Sequence, residues 1–290
     1  MRRAGRASFL TALTLIGLKA WAAWVSGSLA LVGTLVDSVL DLLVSLVSVA
    51  AIETAIRPPD LQHRFGHGKA EGVAGLIQAV VVSATAVGLA VTSLVNLVNP
   101  SPVLSGGVAI GVLIASMLLT WALLSYQRRV VRLTGSMAVQ ADSMHYASDF
   151  AMNGGVLISI VLSTQLGWHY ADPLAGLAVS AWVMHSAMEI GRESLDMLLD
   201  RELGDDMREK ISAIIMSHPE VKGIHDLRTR RSGSHPIFQF HLELDAEMSL
   251  RHAHVISDEV EELLHAEIEG AHVLIHLDPD DLIPDEPVLA

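Results

Sequence analysis

Apolar positions fall into six long runs, at residues 9–28, 31–56, 70–98, 107–131, 139–166 and 173–199, separated by short polar links. A helix needs about 20 predominantly apolar residues to cross the hydrocarbon of a bilayer, so this pattern predicts six transmembrane helices. Beyond residue 199 the pattern changes. Residues 205–217 carry Ile211, Ile214 and Ile215 on one helical face, and KGIHDLRTRRSG and PIFQFHLELDA alternate like strands about the turn SGSHP. Residues 250–268 read as a helix and AHVLIHLD as a closing strand. The predicted architecture is an all-α six-helix transmembrane bundle over residues 1–200, then a small cytoplasmic α+β domain of order αββαβ over 201–281. A Pro-rich acidic tail over 282–290 is expected to be disordered.

Composition supports this division. The chain is 51% hydrophobic with a mean hydropathy of +0.45, high for a soluble protein of 290 residues. Its net charge of −13 comes mainly from the region after residue 200, which argues against a nucleic-acid partner and suits a cationic ligand. The absence of Cys excludes disulfides and thiolate metal sites. The start, MRRAGRASFL, has the basic flank of a signal peptide, but the apolar run behind it is long and lacks a small-residue cleavage pattern; it is expected to be a retained first span.

Basic residues sort by side. Arg2, Arg3 and Arg6 precede the first span, Arg57, Arg64 and Lys69 lie between the second and third, and Arg128, Arg129 and Arg132 between the fourth and fifth. Arg192 and Arg201 lie near the end of the sixth, whereas the opposite links SGSLALVG, NLVNPSPVLSGG and STQLGWHYADP have no Lys or Arg. By the positive-inside rule both termini are cytoplasmic in a multi-pass protein of the inner (plasma) membrane, in contact with its lipid.

The second span contains DSVLD, which places Asp37 and Asp41 one turn apart. An Asp at the centre of a span costs roughly 2.5–3.5 kcal/mol on insertion scales, so two on one face need a reason. The fifth span contains HYASD, with His145 and Asp149 again four apart. Two such faces turned toward each other offer three carboxylates and one imidazole. Interhelical hydrogen bonding is the bland alternative, but mutually facing carboxylates repel unless a cation sits among them. Asp142 is read as a helix-start residue off this face. Mixed nitrogen and oxygen donors in fours favour Zn2+, with Cd2+, Co2+ or Fe2+ open. His145 must lose a proton to bind metal and regains it when metal leaves, the minimum chemistry for exchange. The small residues Asn153, Gly154 and Gly155 allow close helix approach.

DSVLD, PPDLQHRFGHGKAE, HYASD, HDLRTR and HLDPD together resemble the cation diffusion facilitators, in particular their bacterial zinc and iron efflux branch. The resemblance implies a homodimer that exports divalent metal from the cytoplasm in exchange for protons by alternating access. It implies Asp37, Asp41, His145 and Asp149 as the transport site, and Asp60, His63 and His67 as a second site in the loop after the second span. In a metallochaperone-like tail it implies His225, His241, His254, His276 and Asp278 as a third. The loop histidines could instead be incidental to a basic polar link, and each tail histidine alone reads as a surface residue. His252, two residues from His254, points elsewhere on its helix, and His169, His185, His218, His235, His265 and His272 are read as structural.

Two other functions are consistent with a metal site in a membrane protein. An intramembrane metalloprotease needs a motif such as HExxH in a span, and none is present. A metal sensor or scaffold needs no costly ligands in lipid. An exporter of Fe2+, Cd2+ or Mn2+ in place of Zn2+ stays open.

Overall fold

The structure, a computed structural model, describes residues 1–26, 29–98, 107–166 and 170–281. Within them, the side chains of residues 26, 29–34, 36, 37, 40, 107–109, 159–161, 163–166 and 172 lie outside the description. The expected disordered tail at 282–290, His169 and parts of the three uncharged links also lie outside it. The chain forms two compact units, Met1–Leu195 and Asp196–Ala290.

The first unit is built from six long helices: α1 (Arg2–Ser26), α2 (Leu29–Ala55), α3 (Ala70–Val98), α4 (Gly107–Thr134), α5 (Met137–Leu166) and α6 (Ala171–Leu198). The first helix starts well before the apolar run predicted to begin at residue 9. Its basic flank is helical because Ala4 packs beside Ile52 of α2 and Arg2 Nε donates to Glu53 Oε2 at 3.0 Å. By length and hydropathy alone, three segments among the described residues qualify as spans: Arg2–Val25, Ala70–Val98 and Ile110–Thr134. Polar residues dilute α5 and α6, and several of them, including Asp142, His145, Ser186 and Ser194, are buried.

Side chains in this unit are sorted as lipid requires. Large apolar groups lie outside, with Trp24 85% and Val98 78% exposed, while Ser8, Ser45, Ser48, Gln78 and Gln127 are buried. Without water in the hydrocarbon, polar groups must find partners inside the bundle. Small residues bring helices together: a Cβ on Gly176 of α6 would collide with Ser93 Oγ of α3, and one on Gly75 of α3 with Ser194 Oγ of α6.

The second unit contains α7 (Asp205–Met216), β1 (Gly223–Ser232), β2 (His235–Leu244), α8 (Leu250–Glu267) and β3 (His272–Pro279). The three strands form one sheet of order β1-β2-β3, antiparallel between β1 and β2 and parallel between β2 and β3. Alternation along β2 sends Phe238, Phe240, Leu242 and Leu244 into a core with Ile211 and Ile215 of α7 and Ile256, Val260 and Leu264 of α8. The intervening residues, Gln239, His241 and Glu243, occupy the other face. Ser249 caps α8, its hydroxyl accepting from His252 N at 3.3 Å.

This unit has its own core and sheet, so it can be studied as residues 196–281. Replacing fully buried Phe238 with Ala is expected to lower its unfolding free energy by about 3–5 kcal/mol, measured by urea denaturation. A loss below about 1 kcal/mol would mean that the sheet is not anchored through this face.

Candidate metal centre

The middle of the helical unit holds an acidic cluster. Asp41 of α2 and His145 and Asp149 of α5 each offer a ligand atom, all within 4.8 Å of one another. His145 Nε2 lies 3.0 Å from Asp41 Oδ1 and 3.8 Å from Asp149 Oδ2. The four-residue spacing on α5 stacks imidazole and carboxylate on one face, and α2 supplies the opposing carboxylate. Asp37 lies one turn earlier on α2; its side chain is outside the described residues. A cavity of about 490 Å³ opens onto the cluster, bordered by Lys19 of α1, Thr85 of α3, Thr120 of α4 and Asn153 of α5. Five helices therefore border one cavity that carries both polar and apolar side chains.

Asp142 corrects the reading of a helix-start residue. It sits inside α5, 2% exposed, and seven residues before Asp149 it is nearly two full turns away and on the same side of the helix. Ser8 Oγ of α1 and Gln127 Nε2 of α4 donate to its Oδ2, the latter at 2.6 Å, and Ser48 Oγ of α2 donates to Oδ1 at 3.4 Å. Gln78 of α3 donates to Ser48 in turn, and Tyr146 OH donates to the Ser8 carbonyl at 3.2 Å. These bonds tie five helices together beside the cluster. Glu71, also overlooked in the sequence, is 1% exposed. It accepts from Ser136 Oγ at 2.7 Å and Ala138 N at 3.4 Å, anchoring the start of α5 to α3. A partial signal for both exists in the sequence: each is an acidic residue at the edge of an apolar run.

The loop between α2 and α3 brings Asp60, His63 and His67 together within the same 4.8 Å limit. Asp60 Oδ1 accepts from Gln62 N at 2.8 Å and His63 N at 2.7 Å, a local turn typical of Asp. The backbone N–H groups of His63 and Gln62 hold the Asp60 carboxyl below its ordinary pKa. Gly66, at φ 81°, turns the chain so that His67 folds back to 3.4 Å from Asp60 Oδ2. His67 Nδ1 is buried and has no hydrogen-bond partner among the described residues. Two imidazoles and a carboxylate suit a borderline divalent ion.

In the second unit, strand register builds the third cluster. His225 pairs with His241 across β1 and β2, and His241 with His276 across β2 and β3, so three imidazoles form a row on the face opposite the helices. His225, His241 and Asp278 place ligand atoms within 4.8 Å of one another. Asp278 Oδ2 is 2.7 Å from His241 Nδ1 and 3.3 Å from His225 Nε2, and its Oδ1 is 3.2 Å from His276 Nε2. The sequence reading missed Glu243, 2.8 Å from His225 Nδ1, and Asp226, in the β1 bulge at φ 47° and 3.9 Å from His241 Nε2. His254 is not part of this cluster. It is exposed on α8, 3.6 Å from Asp258, because α8 covers the opposite face of the sheet. His252 pairs with Glu220 and His218 with Glu259, at 2.8 and 2.9 Å.

Comparison with known proteins agrees with these two units. Residues 6–199 match the cation efflux transmembrane domain, and residues 203–280 the cytoplasmic domain of cation efflux proteins. The cation-efflux pump FieF of Salmonella arizonae is 42% identical over 284 residues, covering 98% of this chain and 94% of that protein. FieF of Salmonella paratyphi A is 42% identical over 276 residues, covering 95% and 91%. Among solved structures, the metal-bound C-terminal domain of the CzcD transporter from Thermotoga maritima is 28% identical, covering 26% of this chain and 87% of that one at a TM-score of 0.25.

The Asp278 carboxyl is pulled upward by partial burial, but the His241 hydrogen bond and the charges of His276, His241 and His225 outweigh this and leave its pKa lowered. A depressed carboxyl pKa stabilises the fold above the unfolded-state value and loses that effect as pH falls through the folded-state value. In chelator-treated residues 196–281, Asp278→Asn is therefore expected to destabilise at pH 7 and to approach the unsubstituted domain near pH 3, measured by urea midpoints. An equal difference at both pH values would contradict this.

Proposed function

Because the chain belongs to the cation efflux family, we propose that it exports Zn2+ from the cytoplasm in exchange for protons. The observation that carries this reading is the approach of Asp41, His145 and Asp149 at a cavity bordered by five helices. Asp37, one turn before Asp41, is the proposed fourth ligand. One imidazole among carboxylates favours Zn2+ over ions that prefer all-oxygen shells. In the arrangement open to the cytoplasm the carboxylates draw the ion in, and His145 binds it through a neutral nitrogen, giving up its proton. When the site opens to the far side, protons compete for the same donors and displace the metal. The protonated site then carries less negative charge as it returns. Helix sliding near Asn153, Gly154 and Gly155 fits such a two-state change.

The loop and sheet clusters are proposed regulatory metal sites on the cytoplasmic side. The orphan Nδ1 of His67 and the three-strand histidine row fit this role. The protein is proposed to act as a homodimer in the inner membrane, with both termini in the cytoplasm, following the placement of Arg and Lys in the links.

Three results test this reading in sealed proteoliposomes. An imposed pH gradient should drive Zn2+ against the proton flow, and flux indifferent to that gradient would rule out exchange. Asp149→Ala should reduce Zn2+ flux by about 100-fold or more, as expected when an essential group is removed; undiminished flux would take Asp149 out of the pathway. His145→Asp should shift selectivity toward Mn2+ or Cd2+, and an unchanged selectivity profile would show that the imidazole does not choose the ion.

A further inference from the structure

Lys19 of α1 borders the same cavity as Asp41, His145 and Asp149. It is the only Lys or Arg between Arg6 and Arg57, so the first two spans carry a single basic side chain. An ammonium inside a span is costly and is kept where it faces a polar interior. Lys19 Nζ donates to Ser38 Oγ at 2.6 Å, and Ser38 is 1% exposed. Ser38 stands next to Asp37 and three residues before Asp41, one helical turn, so the ammonium is held on the stretch of α2 that carries the acidic groups.

We infer that Lys19 is a coupling residue for transport, a tethered cation that keeps the site from holding its metal too tightly. The inference rests on the proposed export function. A transported ion must bind well enough to enter and weakly enough to leave. Carboxylates inside a bilayer attract a divalent ion more strongly than they would in bulk water, and a positive charge on the cavity wall offsets that attraction. After release the same charge balances the carboxylates, so the empty carrier can return. A purely structural role is the competing explanation, in which Lys19 only ties α1 to α2 through Ser38.

Replacing Lys19 with Gln keeps a hydrogen-bond donor for Ser38 and removes the charge, while Lys19→Arg keeps the charge. The measurement is Zn2+ flux by the full chain in proteoliposomes, with KM and kcat determined separately and the melting temperature of each purified variant as a folding control. For Lys19→Gln we expect KM to fall by roughly five- to a hundredfold, the range of coupling between neighbouring sites, with kcat falling as release slows. Lys19→Arg should stay within about threefold of the unsubstituted protein in both, below that range. If Lys19→Gln does not fold, Lys19→Met takes its place. A neutral variant with unchanged KM and kcat overturns the inference, as does one whose KM rises. Absence of Zn2+ flux by the unsubstituted protein would instead overturn the export function itself.

Discussion

Acidic groups gather in the interior of a bilayer only when something offsets their mutual repulsion and the cost of removing them from water, and the helical unit is organised around that constraint. Asp41 and Asp149 come from different helices, and His145 stands between them at 3.0 and 3.8 Å. A divalent ion among these groups would turn repulsion into attraction without adding any apolar contact. The surroundings follow from this. The inner faces of five helices are lined with hydroxyls and amides, large apolar residues are turned outward, Lys19 borders the cavity, and the buried Asp142 lies nearly two turns before Asp149.

The Asp142 network complements that cluster. A buried carboxylate accepting from Ser8, Gln127 and Ser48 has its hydrogen bonds supplied from three other helices. Such a network is satisfied only when those helices are in place. Glu71 does the same at the start of α5 and belongs to the helix that begins just after the Asp60, His63 and His67 loop. The segment carrying His145 and Asp149 is therefore anchored from α1, α2, α3 and α4.

Much of this was legible in the sequence, for physical reasons that differ from feature to feature. Six apolar runs and the switch to alternation after residue 199 reflect the period of the elements themselves, so helices and strands were readable. The four-residue spacings in DSVLD and HYASD name a face, and the cost of acids in lipid makes that face conspicuous. Periodicity does not say what a face meets. Asp142 was misplaced because its hydrogen-bond partners come from α1, α2 and α4, far away in sequence. Lys19 is inconspicuous in the sequence because a lone basic residue in a span means little until its cavity is known. His254 was grouped with the tail site by resemblance, yet it lies on the helix that covers the sheet's other face. Glu243 and Asp226 depended on strand register and a bulge, which one sequence does not specify.

X-ray absorption at the zinc edge reads directly whether Asp41, His145 and Asp149 hold an ion. It would use the chain of 290 residues with the loop and sheet clusters disabled by Asp60→Ala, His67→Ala, His241→Ala and Asp278→Ala. One zinc per chain is expected, held by four nitrogen or oxygen atoms at about 2.0–2.2 Å, with an imidazole contribution that disappears in His145→Ala. No bound zinc, or an imidazole signal that survives the loss of His145, would contradict it.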